Sequence, residues 1–387
     1  MELTAPRVLI TGARAPAALD LARSFAAAGW AAHLADCVPA LMARASRTPS
    51  AVHRYASPHD RTAFRADIAR LVARLDPQLI VPTCEEVFHL SAAAPGLGLG
   101  DRLAAPPLAV LTELHAKSRF AALCARLGLD APETWRVDTP EGLEPFTATA
   151  GELVFKPEYS RFGAETLVRP SADAVRRLSP APDRAWTVQR HVAGEEVCFY
   201  AACHDGQLTV FCAYAPTRRL KGGAGYAFQA APRAASVVLE AAATTLAPLV
   251  GRGQFACDAI IDADGRAWLI ECNPRATSGV HLFGRNPALA TALAGAGGMA
   301  RPADERPRRL GPAMWLVGLP EAARRGRLRR WTSDLRSGRD VVGAPGDRLP
   351  VLGALLDSAG FAIAALAGGR TTTQQTTMGI EWNGEAM

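Results

Sequence analysis

Residues 268–276, WLIECNPRA, join an apolar segment to a run of polar groups. The three apolar residues at the start predict the end of a buried β-strand. A carboxylate, a thiol, a carboxamide and a guanidinium follow within five positions, at Glu271, Cys272, Asn273 and Arg275. Because side chains at i and i+2 of a strand point to the same face, Glu271, Asn273 and Arg275 project together. Such a face suits a hard cation next to an anion.

This stretch is the second half of a predicted β-hairpin. Residues 254–275 contain two apolar runs joined by DADG, and Asp-Gly is typical of a hairpin turn. Folding at that turn places Asp258 across from Glu271, with Asn273 one pleat further along. These oxygen donors suit Mg²⁺, which retains waters and is completed by substrate phosphates. The alternative is a solvated strand face, but the apolar flanks AIID and AWLI indicate burial, where uncompensated carboxylates are costly.

The composition is that of a soluble globular protein. The 387 residues are 49% hydrophobic and 21% charged, and they suffice for two or three domains. The chain enters a strand directly through MELTAPRVLITGA, without a charged leader or a run of 18 apolar residues. Its eight cysteines include no CxxC pair and predict buried thiols in a reducing cytosol. We therefore expect a cytoplasmic protein that does not bind membranes.

The positive charge is confined to one segment. Residues 301–348 contain 12 arginines and 6 acids, which accounts for the whole net charge of +6. No helix-turn-helix or aromatic-interleaved pattern accompanies the arginines. The segment therefore predicts a solvated or anion-facing surface, and we expect no nucleic-acid partner.

Lysine is scarce throughout the chain. Only Lys117, Lys156 and Lys221 occur among the 43 basic residues. Arginine replaces lysine easily on a surface, but not where a compact ammonium must fit beside a phosphate. These three positions are candidates for anion contacts, and the alternative is that they persist by chance.

The first part of the chain predicts a parallel α/β domain. Strands and helices alternate from residue 7, and ligand contacts are expected at the carboxyl ends of the strands. The first turn, TGARAPAA, has one glycine where a dinucleotide fingerprint needs three, although Asp36 imitates its ribose-binding acid. A nicotinamide enzyme is therefore disfavoured. The Pro-rich residues 104–110 mark a boundary.

The remainder predicts an α+β arrangement. Residues 111–134 predict one helix that carries Lys117 and ends near Gly128. Several strands with hairpin signals then surround a long apolar helix, which indicates a mostly antiparallel sheet covered on one side. We place the domains at residues 1–110, 111–192, 193–298 and 299–387.

The motif D-x12-E-x-N, with an arginine two residues on, resembles the metal-binding end of the ATP-grasp superfamily. Further motifs occur in the family's order over residues 7–285. The resemblance implies an α/β N-terminal parallel-sheet domain of the pre-ATP-grasp, Rossmann-like type. An α+β ATP-grasp fold follows, with a small lid subdomain (111–192) and a large subdomain carrying the metal site (193–298). The resemblance does not extend to residues 299–387, whose predicted helices, with Trp315 and Trp331, indicate a basic C-terminal extension that packs on the body.

The resemblance also implies specific roles. Lys117 in HAKSRF would bind the α-phosphate, and Lys156 in LVFKPEYSRFG the α- and β-phosphates. ATP is the implied cofactor, with one or two Mg²⁺ held by Asp258, Glu271 and Asn273. The other nucleotide contacts implied are Ser160 and Gly163 in the phosphate loop, Gln189, Arg190 and Val192 around adenine, and Glu196 at the ribose. The chain departs from the family in having Ala116 before the first lysine and few glycines in the phosphate loop.

The implied reaction is an ADP-forming ligation of a carboxylate to an amine, with an amino acid as the first choice of amine. Attack of an amine on a free carboxylate would have to expel oxide, whereas attack on an acyl phosphate expels phosphate. Arg275 would stabilise the oxyanion formed when the amine attacks. A thiol or ammonia is the alternative nucleophile, and a catalytically silent ATP-binding protein is the alternative class. A homodimer is left open.

Two further segments carry candidate contacts. Lys221 in RRLKGGAGYAFQ is predicted to act on the triphosphate or on an anionic substrate group, and an exposed basic hairpin tip is the alternative. In PTCEEVF, Glu85 or Glu86 would meet a substrate amino group, or would be an ordinary acid at a helix N-terminus.

Overall fold

The N-terminal part of the chain is a four-stranded parallel sheet. The computed structural model describes residues 5–161, 163, 165–220 and 223–387. The strands of the first sheet are β1 (Arg7–Thr11), β2 (Ala31–Asp36), β3 (Ala51–Arg54) and β4 (Leu79–Val81). Their spatial order is β3-β2-β1-β4, so the direction of winding reverses between β1 and β4. In open sheets of this kind ligands bind beyond the carboxyl ends of the strands at that reversal. The predicted parallel sheet is confirmed.

Four helices cover this sheet. They are α1 (Pro16–Ala27), α2 (Leu41–Arg44), α3 (Arg61–Leu75) and α4 (Glu86–Leu97). Proline suits the first position of α1 because its missing N–H has no partner there in any helix. The side chain of Asp60 caps α3 by accepting from the backbone N–H of Ala63 at 3.1 Å.

A small antiparallel sheet follows. Its strands are β5 (Thr134–Val137), β6 (Leu153–Pro157), β7 (Leu167–Val168) and β8 (Trp186–Arg190), in the order β5-β8-β6-β7. The helices of this part are α5 (Leu108–His115), α6 (Lys117–Arg126), α7 (Glu144–Thr147) and α8 (Ala172–Arg176). Phe155 and Val188 lie in the core of the small sheet, fully buried.

The prediction of a single helix over residues 111–134 is wrong. The helix is interrupted at Ala116, whose extended conformation (ψ 114°) ends α5 and precedes α6. The apolar periodicity continues through the break, which is why the pattern suggested one helix. The break makes Lys117 the first residue of α6.

The largest sheet has seven strands, in the order β13-β12-β9-β10-β11-β14-β15. They are β9 (Glu195–His204), β10 (Gln207–Arg219), β11 (Gly225–Ala230), β12 (Gly253–Ile261), β13 (Ala267–Asn273), β14 (Arg308–Arg309) and β15 (Arg339–Asp340). The helix α9 (Arg233–Val250) covers one face, and α10 (Pro287–Leu293) packs with α1 against the other. Tyr200 and Phe283 share a core with Leu21 of α1, so the large sheet and the helices of the first sheet bury one continuous apolar surface.

The C-terminal segment joins the large sheet through β14 and β15. Its helices are α11 (Gly311–Ala313), α12 (Leu319–Arg324), α13 (Leu328–Ser337), α14 (Pro350–Ala367) and α15 (Thr372–Thr377). A buried Arg23 in α1 donates to Asp347 at 2.8 Å and to two backbone carbonyls of the segment. Trp331 is buried and donates to the carbonyl of Met314 at 3.0 Å, while Trp315 stays half exposed.

Two helices are long and apolar enough to cross a membrane by length and composition. In α9, 39% of the residues are buried inside the protein, and in α14 17% are buried. The exposed large apolar side chains of α14 are Leu352, Leu355, Leu356, Ile363 and Leu366. Among the described residues no disulfide occurs, and six of the eight cysteines are buried.

Candidate active site

The hairpin of β12 and β13 brings the predicted metal ligands together. Asp258 pairs directly with Glu271, and Asn273 lies further along opposite Ala256. The ladder shifts by one residue between Asp258 and Ala259, which leaves Ile270 as the extra residue of a β-bulge. Bulges of this kind redirect side chains next to functional sites. Here the bulge sets the two carboxylates opposite each other on one face.

The two carboxylates are electrostatically unequal. Burial, and then repulsion by Glu271, raises the pKa of Asp258 to about 7. Burial alone would also raise the pKa of Glu271, but Lys117 and Lys156 lower it below its ordinary value. A carboxyl whose pKa is raised by desolvation and by a neighbouring carboxylate would be stabilised in its ionised form by a cation bound next to it. The donor set therefore fits a divalent cation held by oxygen ligands.

Glu196, predicted to face the ribose, lies close to Asp258. Cys198 of β9 pairs with Asp258, and Glu196 lies two residues along the same face. One ligand atom from each of Glu196, Cys198 and Asp258 falls within 4.8 Å of the others. Glu196 also forms an ion pair with Arg219. Its carboxylate thus belongs to the acidic cluster.

The two described lysines converge on the same space from the small sheet and α6. Lys156 is 6% exposed, and its Nζ donates to Gln189 Oε1 at 3.0 Å. Lys117 is 4% exposed, and its Nζ donates to Glu158 O at 3.3 Å and to Ser160 Oγ at 3.1 Å. Burial lowers the pKa of Lys156, and Glu271 partly offsets that effect.

Glu158 is a site residue that the sequence reasoning missed. Its buried carboxylate accepts from Ser118 N at 3.1 Å, from Ser118 Oγ at 2.6 Å and from Thr187 Oγ1. These bonds tie the first turn of α6 to β8. Glu158 therefore holds Lys117 at its position. The only sequence signal was an acid directly after the Lys-Pro pair of β6.

The structure describes Arg190, Val192 and Gly163, three further nucleotide contacts that the resemblance implied. The backbone N–H of Arg190 donates to Glu133 O at 2.9 Å, and the Arg190 side chain is exposed. Val192 is partly buried just beyond it. Gly163 has a φ of +61°, a left-handed conformation that glycine adopts without strain. Lys221 lies outside the described residues.

Arg275 stands at the end of β13, beside a buried acid of the first domain. Its Nη2 donates to Asn273 Oδ1 at 3.2 Å and lies 4.0 Å from Glu85 Oε1. Glu85 Oε2 accepts from Arg161 Nε at 2.6 Å and from Trp382 N at 3.1 Å. Burial would raise the pKa of Glu85, but Arg161 and its cationic neighbours lower it. Arg161 and Trp382 were not among the predicted site residues.

Glu85 and Glu86, which the sequence left as alternative contacts of a substrate amino group, have different partners in the structure. Glu86 accepts from Thr11 Oγ1 at 2.7 Å and from Thr83 N at 3.0 Å, so one of its oxygens joins β1 to β4. Glu85 faces Arg275 instead. One oxygen of Glu86 is thus used within the first sheet, whereas Glu85 lies beside Arg275.

Comparison with known proteins gives matches in structure only. No family model matches the chain, and no curated protein matches its sequence. An N5-carboxyaminoimidazole ribonucleotide synthetase solved as its ADP complex superposes with a TM-score of 0.63 at 15% identity, covering 84% of this chain and 87% of that one.

Two other solved structures are similar over most of the chain. The L-amino acid ligase from Bacillus licheniformis superposes with a TM-score of 0.58 at 14% identity and covers 79% of each chain. The biotin carboxylase domain of the Hydrogenobacter thermophilus 2-oxoglutarate carboxylase, solved with MgADP, ADP and bicarbonate, gives 0.60 at 12% identity. It covers 78% of this chain and 72% of that one. The chain therefore shares the overall fold of these three structures, in agreement with the fold expected from the resemblance.

Proposed function

We propose that the protein is an ATP-dependent ligase that joins a carboxylate to an amine and releases ADP and phosphate. ATP would phosphorylate the carboxylate, and the amine would attack the resulting acyl phosphate. The observation that carries this proposal is the pairing of Asp258 with Glu271 in front of two buried lysines. Likeness of fold to ADP-bound ligases supports it.

In this proposal the acids of the hairpin hold Mg²⁺. Asp258, Glu271 and Asn273 offer oxygens from two paired strands. Bound Mg²⁺ would neutralise charge on the β- and γ-phosphates during in-line transfer. Glu196 is close enough to Asp258 to serve as a further ligand or to hold a second ion.

The lysines would hold the phosphates from the opposite side. Lys117 already faces the phosphate loop through Ser160, and Lys156 lies between Gln189 and Glu271. Both are almost completely buried, so their interaction with a polyanion would be screened little by water. The adenine would lie against the segment from Gln189 to Val192.

Arg275 would act on the acyl group. It follows the metal strand directly and is oriented by Asn273 and Glu85. A guanidinium fixed there would stabilise the oxyanion formed when the amine attacks. Lys221 keeps its proposed contact with the triphosphate or an anionic substrate group.

We propose a separate role for each of the four segments of the chain. Residues 1–110 would supply the substrate crevice, 111–192 the lid, 193–298 the metal site, and 299–387 the extension that covers the body. An amino acid is the preferred nucleophile, and the similar fold of an L-amino acid ligase favours it. A thiol or ammonia nucleophile remains the alternative within the same chemistry.

A phosphate-release screen tests the proposal. The protein is offered MgATP with carboxylates and amino acids in pairs, and both phosphate and ligated product are measured. Release that depends on both substrates and is lost in Glu271→Gln supports the ligase. ATP binding without turnover on any pair, in protein that is folded, would instead favour a silent ATP-binding protein.

A further inference from the structure

The last residues of the chain cross the carboxyl edge of the first sheet. We call Thr376–Met387 the tail. Each of the four parallel strands is followed by a side chain that contacts the tail. These side chains are Arg14 after β1, Cys37 after β2, Ser57 after β3, and Glu85 and His89 after β4. The tail thus lies where open parallel sheets bind their ligands.

These side chains contact main-chain atoms of the tail. Arg14 Nη1 donates to Thr376 O at 3.1 Å and to Met378 O at 3.0 Å. Ser57 Oγ donates to Gly379 O at 2.8 Å. Contacts of this kind do not depend on the sequence of the bound segment.

The contacts continue to the centre of the proposed site. His89 Nε2 lies 3.3 Å from Glu381 O, and Trp382 N donates to Glu85. Arg161 Nη2 donates to Trp382 O at 2.7 Å. The same Glu85 carboxylate lies 4.0 Å from Arg275. A main chain bound in this way passes directly beside the proposed reacting centre.

Alternate side chains of the tail are buried. Ile380 is 1% exposed and Trp382 is 3% exposed, whereas Glu381 is partly exposed and Asn383 is exposed. The Trp382 ring stacks on Phe88 at 4.5 Å and meets Tyr159 edge-on at 5.3 Å. Main-chain bonds together with pockets for alternate side chains are how proteins recognise extended peptides.

The tail also borders a cavity of about 1160 Å³ that it shares with residues 118–185 rather than with the first sheet. The lining of this cavity includes Arg119, Arg136 and Arg184 as well as Asn383 and Glu385 of the tail. Pockets for small molecules measure roughly 300–1,000 Å³. The space beside the tail therefore has room for a chain that extends beyond the segment now bound.

We infer that the carboxyl edge of the first sheet is a polypeptide-binding crevice occupied by the tail as an intramolecular ligand. The proposed ligase then acts on a polypeptide that takes the place of the tail. This substrate class rests on the proposed function, whereas the crevice itself does not. A polypeptide substrate would need an extended segment with an aromatic residue for the pocket formed by Phe88 and Tyr159.

The test uses the full chain and a fluorescent peptide with the sequence of residues 376–387. Gly384→Ala should loosen the tail, because a Cβ at this position (φ +92°) would lie 2.6 Å from the Tyr159 ring. Trp382→Ala should loosen it by removing the aromatic anchor. A tethered tail competes at an effective concentration of about millimolar, so the wild-type protein should bind the added peptide weakly.

Fluorescence anisotropy without ATP should show at least about tenfold tighter binding of the peptide to either variant than to the wild-type protein. The same peptide carrying Trp382→Ala is the control and should lose this binding. Absence of binding in both variants would overturn the inference. Loss of the fold in both would also overturn it, because an intramolecular ligand is dispensable for folding.

These experiments distinguish failure of the peptide-binding inference from failure of the proposed ligase function. Peptide binding without ATP turnover on any substrate would contradict the proposed function and leave the crevice standing. Turnover with free amino acids, together with no peptide binding, would contradict the crevice alone. Mass spectrometry of the unlabelled peptide incubated with MgATP and amino acids then tests whether the bound polypeptide is the substrate.

Discussion

Asp258 and Glu271 lie directly opposite each other across the β12–β13 ladder because a bulge at Ile270 shifts the register by one residue. Without the bulge, the count from the pair of Ile261 with Ala267 would set Asp258 against Ile270. An apolar side chain would then face the carboxylate. The acidic pair therefore depends on one extra residue in β13.

Replacement of Glu271 by glutamine should weaken Mg²⁺ binding and slow phosphoryl transfer. The substitution keeps the shape of the side chain and removes one negative charge from the Asp258–Glu271 pair. We expect a rate loss of about a thousandfold or more, which corresponds to about 4 kcal/mol of barrier. Rapid-quench measurement of ADP formation checks this. The matched control is Glu240→Gln on α9, where the glutamate pairs with Arg301. Normal turnover in Glu271→Gln would contradict the proposed role of Glu271 as a metal ligand.

Replacement of Lys156 by alanine should weaken ATP binding while the fold remains intact. Loss of a charge-assisted contact costs about 1.5–3 kcal/mol, or roughly tenfold to 150-fold in affinity. Calorimetric titration with ATP, alongside circular dichroism, measures the effect. Arg176→Ala in α8 removes an exposed cation that pairs with Asp173 and should leave ATP affinity unchanged. Equal ATP affinity for Lys156→Ala and the wild-type protein would refute the assignment.

Replacement of Arg275 by alanine should separate nucleotide binding from ligation. The guanidinium is oriented by Asn273 and Glu85 and is proposed to act on the acyl group. ATP and Mg²⁺ should therefore bind nearly as in the wild-type protein, while ligated product falls by about a hundredfold or more. The exposed Arg285 supplies the control variant Arg285→Ala. Loss of ATP binding in Arg275→Ala would place this arginine at the nucleotide instead.

Binding of Mg²⁺ should strengthen as the pH rises through about 7. The pKa of Asp258 in the folded, metal-free protein is raised to about 7, whereas a carboxyl of this kind ordinarily titrates near 3.8. The protonated carboxyl therefore favours the folded state at low pH, and this contribution is lost between about pH 4 and 7. Mg²⁺ prefers the ionised form, so it should restore more stability at pH 8 than at pH 6.

Thermal unfolding with and without Mg²⁺ at both pH values checks this expectation. The increase in Tm caused by Mg²⁺ should be larger at pH 8, and Asp258→Asn should remove the difference between the two pH values. Glu271 contributes with the opposite sign, since its lowered pKa stabilises the fold at higher pH. A Mg²⁺ effect on Tm that is independent of pH in the wild-type protein would contradict the proposed state of Asp258.

The hairpin and the lysine positions were accessible to sequence reasoning because their signals are local. A turn, an apolar run and the spacing of polar residues are all contained within about twenty positions. The break at Ala116 was not accessible, because apolar periodicity runs through it and only packing decides where a helix turns. The contact of Glu85 with Arg161 and with Trp382 joins residues 76 and 297 positions apart, and such pairs leave no local pattern.

The sequence by itself determined the parallel first domain, the Asp-Gly hairpin with its row of polar groups, and two lysines at candidate phosphate positions. Periodicity, turn chemistry and residue type are properties of short segments, and the printed chain displays them directly. Only the tertiary structure decided that Asp258 meets Glu271 through a bulge, that Glu158 holds Lys117, and that the tail covers the edge of the first sheet. These arrangements depend on burial and on main-chain contacts between distant segments, which form only when the whole chain packs.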